Sequence, residues 1–300
     1  MKRIISIILL FSLSLLSLTS CGPDSSSETA SDSQAKYIEN KGSDTIVNLA
    51  LAWAERYQSE HPDVRISVTG GGSGTGIAAL INKTVDIANA SRKIKQEEID
   101  EAQANGVEPV EHIIARDAIA VIVHPENAVH ELTLQQISDI YSGKINNWQE
   151  VGGDDRPIVR LSRETNSGTH VYFLETVLRL GNSEDKTLFS MDTLLLPSSE
   201  GIIAEVRQNP NAIGYDGLGY VPADLEMIAI AEEAGAPYVL PSIPTVNDKS
   251  YPIARDLYMY TDGEATGVLK EYLEWILSDE AQEIVVELGF VPAIPLSPSP

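Results

Sequence analysis

The chain has 300 residues, of which 43% are apolar and 22% charged, and its formal net charge is −23. So acidic a protein repels phosphate backbones, which argues against a nucleic-acid partner. The length and apolar content predict a globular protein of two lobes, at the usual size of ~100–200 residues per domain.

The N-terminus predicts export and attachment to a membrane. Lys2 and Arg3 precede an apolar stretch at 4–18, which is shorter than a spanning helix and is typical of a signal peptide, here residues 1–20. The following Leu-Thr-Ser-Cys resembles the bacterial lipobox, which predicts lipidation of Cys21; an uncleaved anchor with an incidental cysteine is the alternative. Cys21 is the only cysteine, so no thiol remains for a disulfide, a metal site or nucleophilic catalysis. Residues 21–37 are interpreted as a flexible tether.

Strand and helix patterns alternate along the rest of the chain, which predicts an α/β fold with parallel sheets. Predicted strands cover residues 64–68, 86–90, 118–123, 158–161 and 212–215. Predicted helices cover residues 46–53, 77–82, 96–104, 134–141, 171–178, 199–207 and 269–276, with one more between Ser278 and Gly289. The segment 118–123 has no polar alternation, so both of its faces should be covered, as in a parallel sheet.

Three loops rich in hydroxyls and glycine each precede a predicted helix: residues 42–45, 70–76 and 162–169. The last of them also contains Arg163. Unpaired N–H groups and the positive end of the dipole gather at a helix N-terminus, where they favour an anion. The loops therefore predict a small oxyanion site. Two alternatives stay open: Ser43 and Thr45 act only as helix caps, and Arg163 pairs with Glu164 at the surface.

Six motifs in order carry a resemblance to a known family. They are Gly-Ser-Asp-Thr (42–45), Val-Thr-Gly-Gly-Gly-Ser-Gly-Thr-Gly (68–76), Asn-Ala-Ser-Arg (89–92), Arg-Asp-Ala-Ile-Ala-Val-Ile-Val (116–123), Tyr-Ser-Gly-Lys-Ile-Asn-Asn-Trp (141–148) and Ser-Arg-Glu-Thr-Asn-Ser-Gly-Thr (162–169). Together they resemble the phosphate-binding proteins of bacterial high-affinity phosphate ABC importers.

The resemblance implies a two-lobed periplasmic-binding-protein fold of type II with the ligand in the cleft. Lobe 1 is expected at residues 38–118 plus 253–300, and lobe 2 at residues 119–252. It also implies an extracytoplasmic, monomeric binding protein that docks on the transmembrane and ATPase subunits of a permease. We expect no enzyme activity, no cofactor and no metal site. A metal site is not expected because the histidines lack metal-ligand spacing. Binding of sulfate or molybdate, and phosphate sensing without transport, are the alternative functions.

The ligand residues that the resemblance implies come from the three loops. They are Ser43, Thr45, Ile46 (through its backbone amide), Ser73, Arg163, Ser167, Gly168 and Thr169.

One position departs from the family pattern. Many members place an aspartate after Ala-Ser, where it accepts the proton of hydrogenphosphate, and this chain has Arg92. Arg92 adds a charge-assisted donor but removes the group that distinguishes phosphate from sulfate. Asp117 is the favoured replacement acceptor, with Asp44 and Glu164 as other candidates. Alternatively, Asp117 simply pairs with Arg116 or Arg92.

Overall fold

The computed structural model describes residues 35–296, so the predicted leader sequence, Cys21 and most of the predicted tether lie outside the described residues. The strands are β1 (Lys36–Gly42), β2 (Val64–Thr69), β3 (Ile87–Ala90), β4 (Pro109–Val123), β5 (Glu131–Thr133), β6 (Val159–Arg163), β7 (Leu194–Leu196), β8 (Ala212–Gly217), β9 (Glu226–Met227), β10 (Ala229–Ala231), β11 (Ala254–Asp262) and β12 (Val291–Pro292).

Helices connect most of these strands. They are α1 (Asp44–Glu60), α2 (Ser73–Ile81), α3 (Gln96–Ala104), α4 (Leu134–Tyr141), α5 (Gly168–Phe173), α6 (Ser199–Gln208), α7 (Ile243–Asn247), α8 (Gly267–Ile276) and α9 (Asp279–Glu287). Short 3₁₀ helices occupy Trp148–Val151 and Leu218–Tyr220, and α5 continues as a π-helix over Leu174–Leu178.

One mixed sheet extends through both lobes in the strand order β2-β1-β3-β11-β4-β8-β6-β7. In the first lobe β1 is parallel to β2 and β3, and β11 is antiparallel to β3 and β4. In the second lobe β8 is antiparallel to β4, and β6 is parallel to β8 and β7. Strands β9 and β12 also pair with β4, while β5 and β10 form a separate pair.

Strand β4 connects the two lobes. It pairs with β11 as far as Ala118 and with β8 from Ile119 onward. Residues 118–123 are buried on both faces, as expected, but all partners of β4 are antiparallel, so the predicted parallel pairing is wrong. An apolar run indicates that both faces of a strand are buried, but it does not indicate whether the neighbouring strands are parallel or antiparallel.

Each lobe has its own core. In the first, Trp53 of α1 is fully buried and its Nε1 donates to the Ala281 carbonyl of α9 at 2.8 Å. In the second, the hydroxyl of the buried Tyr141 donates to the carbonyls of Leu161 and Ile213 at 3.2 and 3.3 Å. The first contact joins α1 to α9, and the second joins α4 to strands β6 and β8 of the sheet.

The capping signals placed several helices correctly. Thr133 accepts from Gln136 N and begins α4, Ser278 accepts from Ala281 N before α9, and α3 has the predicted bounds. The predicted tether is too long, because Lys36 and Tyr37 already pair with β2 as part of β1. Within residues 35–296, no helix is both long enough and apolar enough to cross a bilayer.

Candidate functional site

The three predicted loops each connect a strand to a helix N-terminus: β1 to α1, β2 to α2 and β6 to α5. Ser167 caps α5, since its Oγ accepts from Thr169 N at 3.2 Å and His170 N at 3.4 Å. Ser43 precedes α1 and is buried, but its side chain makes no capping hydrogen bond. Helix capping therefore does not account for Ser43, although it does account for part of the role of Ser167.

Hydroxyls from the two lobes meet at the centre of the molecule. Thr45 Oγ1 of α1 lies 2.9 Å from Thr169 Oγ1 of α5, and both side chains are buried. The Arg255 guanidinium of β11 reaches the same point, where its Nη2 donates to Thr169 at 2.9 Å and to Thr45 at 3.4 Å. A hydroxyl both donates and accepts, so each threonine can turn its hydrogen toward an anion.

Asp117 lies on the crossover strand β4 and is fully buried. Its Oδ2 accepts from Arg255 Nη2 at 3.0 Å and its Oδ1 accepts from Leu218 N at 3.3 Å. Burial raises the pKa of Asp117 to about 6, although the Arg255 charge acts in the opposite direction. The alternative pairing of Asp117 with Arg116 or Arg92 is wrong, because its partner is Arg255.

Arg163 is almost fully buried and joins the lobes through a second set of contacts. Its Nη2 donates to Asp44 Oδ2 of α1 at 2.6 Å, and its Nη1 donates to Ser199 Oγ at 2.9 Å. Asp216 Oδ2 lies 3.7 Å from Nη1, and burial raises the pKa of Asp216 while the Arg163 charge opposes that shift. The alternative of a surface pair with Glu164 is wrong, because the carboxylate bound to Arg163 belongs to Asp44.

The loop at residues 70–76 contacts the loop at residues 162–169 directly. Gly74 N donates to the Asn166 carbonyl at 3.0 Å, and Asn166 Nδ2 donates to the Gly71 carbonyl at 2.9 Å. Ser73 Oγ accepts from Ser91 N at 3.0 Å, and a Cβ on Gly168 would lie only 2.3 Å from Ser73 Oγ. Ser73 and Gly168 therefore meet with no room for a side chain between them, so the cleft is closed here.

Like Arg163, the predicted ligand residues Arg92 and Ile46 have other partners. Arg92 makes a two-pronged pair with Glu98, Nη1 to Oε2 at 2.8 Å and Nη2 to Oε1 at 2.7 Å. Burial would raise the pKa of Glu98, but the hydrogen bonds from Arg92 and Lys95 outweigh it and lower that pKa. The Ile46 amide donates to the Ser43 carbonyl at 3.2 Å, and its side chain belongs to the core. Within residues 35–296, neither forms a hydrogen bond to Thr45 Oγ1, Thr169 Oγ1 or the Arg255 guanidinium.

Arg255 is absent from the ligand residues predicted from the sequence, because β11 was not predicted. The segment 254–262, Ala-Arg-Asp-Leu-Tyr-Met-Tyr-Thr-Asp, is rich in strand-forming residues, and this was a usable signal. A charged pair inside such a run indicates either an exposed strand or a buried functional arginine. Burial decides between them: Arg255 is 6% exposed.

The fold and this closed junction between two lobes define the class of protein. A family model described as the PBP superfamily domain matches residues 27–280. Among curated proteins, the phosphate-binding protein PstS of Pseudomonas aeruginosa PAO1 is 32% identical over 272 residues, which cover 85% of this chain and 82% of that protein. PstS of Bacillus subtilis 168 is 30% identical over 299 residues, 97% of this chain and 94% of that protein.

A solved structure extends the comparison. A Clostridium perfringens protein described as a phosphate ABC transporter substrate-binding protein, solved with bound phosphate, matches with a TM-score of 0.77 and 33% identity, over 86% of this chain and all of that one. The chain belongs to the PBP superfamily and, within it, to the family of PstS-like phosphate-binding proteins.

Titration of Asp117 should appear in the pH dependence of stability. The native pKa of about 6 exceeds the ordinary aspartate pKa of ~3.9, so between these values the native state holds the proton more tightly than the unfolded chain. The free energy of unfolding of the wild type, minus that of Asp117→Asn, should fall as the pH rises from about 4 to about 6. Urea denaturation at several pH values measures this difference, and a rise across the interval would contradict the prediction.

Proposed function

We propose that this chain captures inorganic phosphate between its two lobes and delivers it to the membrane permease of an ABC importer. The observation that carries the proposal is the meeting of Thr45 and Thr169, from opposite lobes, beside a buried guanidinium. Such a site holds an anion through hydrogen-bond donors in direct contact with it. Local donors are necessary because the strongly negative net charge of the protein repels anions. The printed names of the PstS relatives and of the phosphate-bound Clostridium structure give further support.

The proposed ligand set combines donors of both lobes. It consists of Ser43, Thr45, the Ile46 amide and Ser73 from the first lobe, and of Arg163, Ser167, Gly168 and Thr169 from the second. An anion that bridges these groups makes contacts in the closed form that the open form lacks, so binding favours closure. Arg92 contributes less than the resemblance implied, because Glu98 already engages both of its terminal nitrogens.

The lobe boundaries and the membrane attachment are part of the proposal. We place lobe 1 at residues 38–118 plus 253–300 and lobe 2 at 119–252, supported by the change of partner along β4 after Ala118. We also propose a monomeric protein, held at the outer face of a membrane by a lipid on Cys21. Support for the anchor comes from the lipobox-like Leu-Thr-Ser-Cys alone. The role is that of a binding protein rather than an enzyme.

Isothermal titration calorimetry on ligand-stripped protein tests the function. Phosphate should give saturable binding at one site, and arsenate, sulfate and molybdate serve as competitors. Tighter binding of sulfate or molybdate than of phosphate would show that the ligand is another tetrahedral oxyanion. This comparison matters because position 92 holds an arginine instead of the carboxylate that distinguishes phosphate from sulfate. No binding of any of these anions would overturn the proposal. Phosphate uptake by cells that carry or lack the chain separates transport from sensing.

A further inference from the structure

Among residues 35–296, Arg255 is the only cationic side chain that donates a hydrogen bond to Thr45 or Thr169. The three polar atoms Thr45 Oγ1, Thr169 Oγ1 and Arg255 Nη2 form a triangle with sides of 2.9, 2.9 and 3.4 Å. Each atom can donate a hydrogen, and the two threonines belong to different lobes. The three atoms therefore lie close enough together to contact one small anion at the same time.

The guanidinium of Arg255 has donors to spare. It carries five N–H groups, of which Nη1 donates to the Ser91 carbonyl at 2.8 Å and Nη2 to the acceptors named above. Within residues 35–296 its buried Nε has no hydrogen-bond partner, as is also true of Arg163 Nε. Leaving a buried charged donor unpaired is costly, so the Nε of Arg255 is suited to an acceptor that arrives with a ligand.

The charge balance also favours Arg255. Two carboxylates already surround Arg163: Asp44 at 2.6 Å and Asp216 at 3.7 Å. Within the described part of the chain, Arg255 has a single carboxylate partner, Asp117 at 3.0 Å. Compared with Arg163, Arg255 therefore has less of its charge compensated by the protein and retains more attraction for an anion.

The position of the guanidinium is held from several sides. Asp117 fixes Nη2, and the guanidinium carbon lies 5.4 Å from the centroid of the Tyr172 ring. Arg255 and Tyr172 also line a cavity of about 470 Å³. The side chain is thus kept in place by Asp117 and Tyr172, and it also borders this cavity.

We propose that Arg255 is a second anion-binding cation of this site, which donates directly to a phosphate oxygen held by Thr45 and Thr169, and that Asp117 is the residue that positions it. The inference rests on the proposed phosphate binding. It assigns Asp117 a place behind the arginine rather than in contact with the ligand.

Calorimetry with orthophosphate on Arg255→Gln, Arg255→Lys and wild type tests this. A hydrogen bond to a charged group contributes enough that Arg255→Gln should bind phosphate about 10- to 150-fold more weakly. Arg255→Lys keeps the positive charge but lacks the planar set of guanidinium donors. Its loss of phosphate affinity should therefore be smaller than that of Arg255→Gln but above about 3-fold. The matched control is Arg116→Gln on β4, whose guanidinium donates to Asn247 and the Pro292 carbonyl outside the site, and its affinity should stay within about 2-fold.

A double-mutant cycle separates positioning from general damage. Asp117→Asn should weaken phosphate binding in the wild type, but should change it less than about 2-fold in the Arg255→Gln background, because the residue that Asp117 holds is then absent. Arg255→Lys keeps a cation opposite Asp117, so it carries the test of Arg255 if Arg255→Gln alone unfolds. Thermal unfolding checks that each variant is folded.

The outcomes distinguish the two proposals. If the wild type binds phosphate and folded Arg255→Gln or Arg255→Lys binds it within about 2-fold of wild type, Arg255 is not a ligand and the proposed function stands. Equal effects of Asp117→Asn in both backgrounds would overturn its role as the positioning residue. If the wild type itself gives no saturable phosphate binding, the proposed function is overturned, and the role of Arg255 as a phosphate ligand is overturned with it.

Discussion

Replacing Arg163 with alanine is expected to weaken phosphate binding by about 2–5 kcal/mol, the range for truncating one partner of a buried, hydrogen-bonded charge pair. The change removes a proposed ligand and at the same time breaks the 2.6 Å contact with Asp44 that joins the lobes. It also leaves the buried Asp216 without its neighbouring cation. Each of these effects disfavours the closed, anion-bound form.

Calorimetry measures the loss for Arg163, and Arg207→Ala is the matched control. Arg207 lies in the same lobe, but its side chain is 47% exposed and pairs with Asp224 at the surface. Surface ion pairs of this kind contribute little, so the control should bind phosphate as the wild type does. A loss below about 1 kcal/mol for folded Arg163→Ala would remove Arg163 from the proposed ligand set.

Replacing Gly168 with alanine is expected to disfavour closure of the lobes. The added Cβ would lie 2.3 Å from Ser73 Oγ and 2.5 Å from Ser91 Oγ, both of which belong to the first lobe. The backbone of Gly168 is not left-handed, so alanine is compatible with the first turn of α5 itself. The clash therefore acts on the closed form. Overpacking costs ~1–3 kcal/mol, which predicts binding weaker by about 5- to 150-fold.

Gly201→Ala is the control for the glycine substitution. A Cβ there would make ordinary contacts, the nearest at 3.5 Å from Ser198 Oγ, and its helix α6 tolerates alanine. Small-angle scattering at a phosphate concentration that just saturates the wild type adds a structural readout, since Gly168→Ala should remain more extended than the wild type there and Gly201→Ala should not. Wild-type affinity in Gly168→Ala would show that the anion does not require this contact.

Several elements followed from local patterns. The starts of α4 and α9 are determined by the hydroxyl caps Thr133 and Ser278, and the end of α3 by Asn105-Gly106, and such signals act within four residues. The three hydroxyl-rich loops also stood out locally, because a helix N-terminus needs donors and small residues within one turn. The strand directions around β4 were wrong, since pairing direction depends on strands far away in the chain.

The sequence by itself determined the α/β class, the acidic surface and the loops that bring hydroxyls to helix starts, because composition, periodicity and capping are local properties. Only the tertiary structure decided which charged groups meet. Arg255 contacts Thr169, Asp117 and Thr45 across 86, 138 and 210 residues of chain, and Arg163 meets Asp44 across 119. Such pairs form because the sheet carries distant strands to one junction, where burial leaves each charge dependent on a partner.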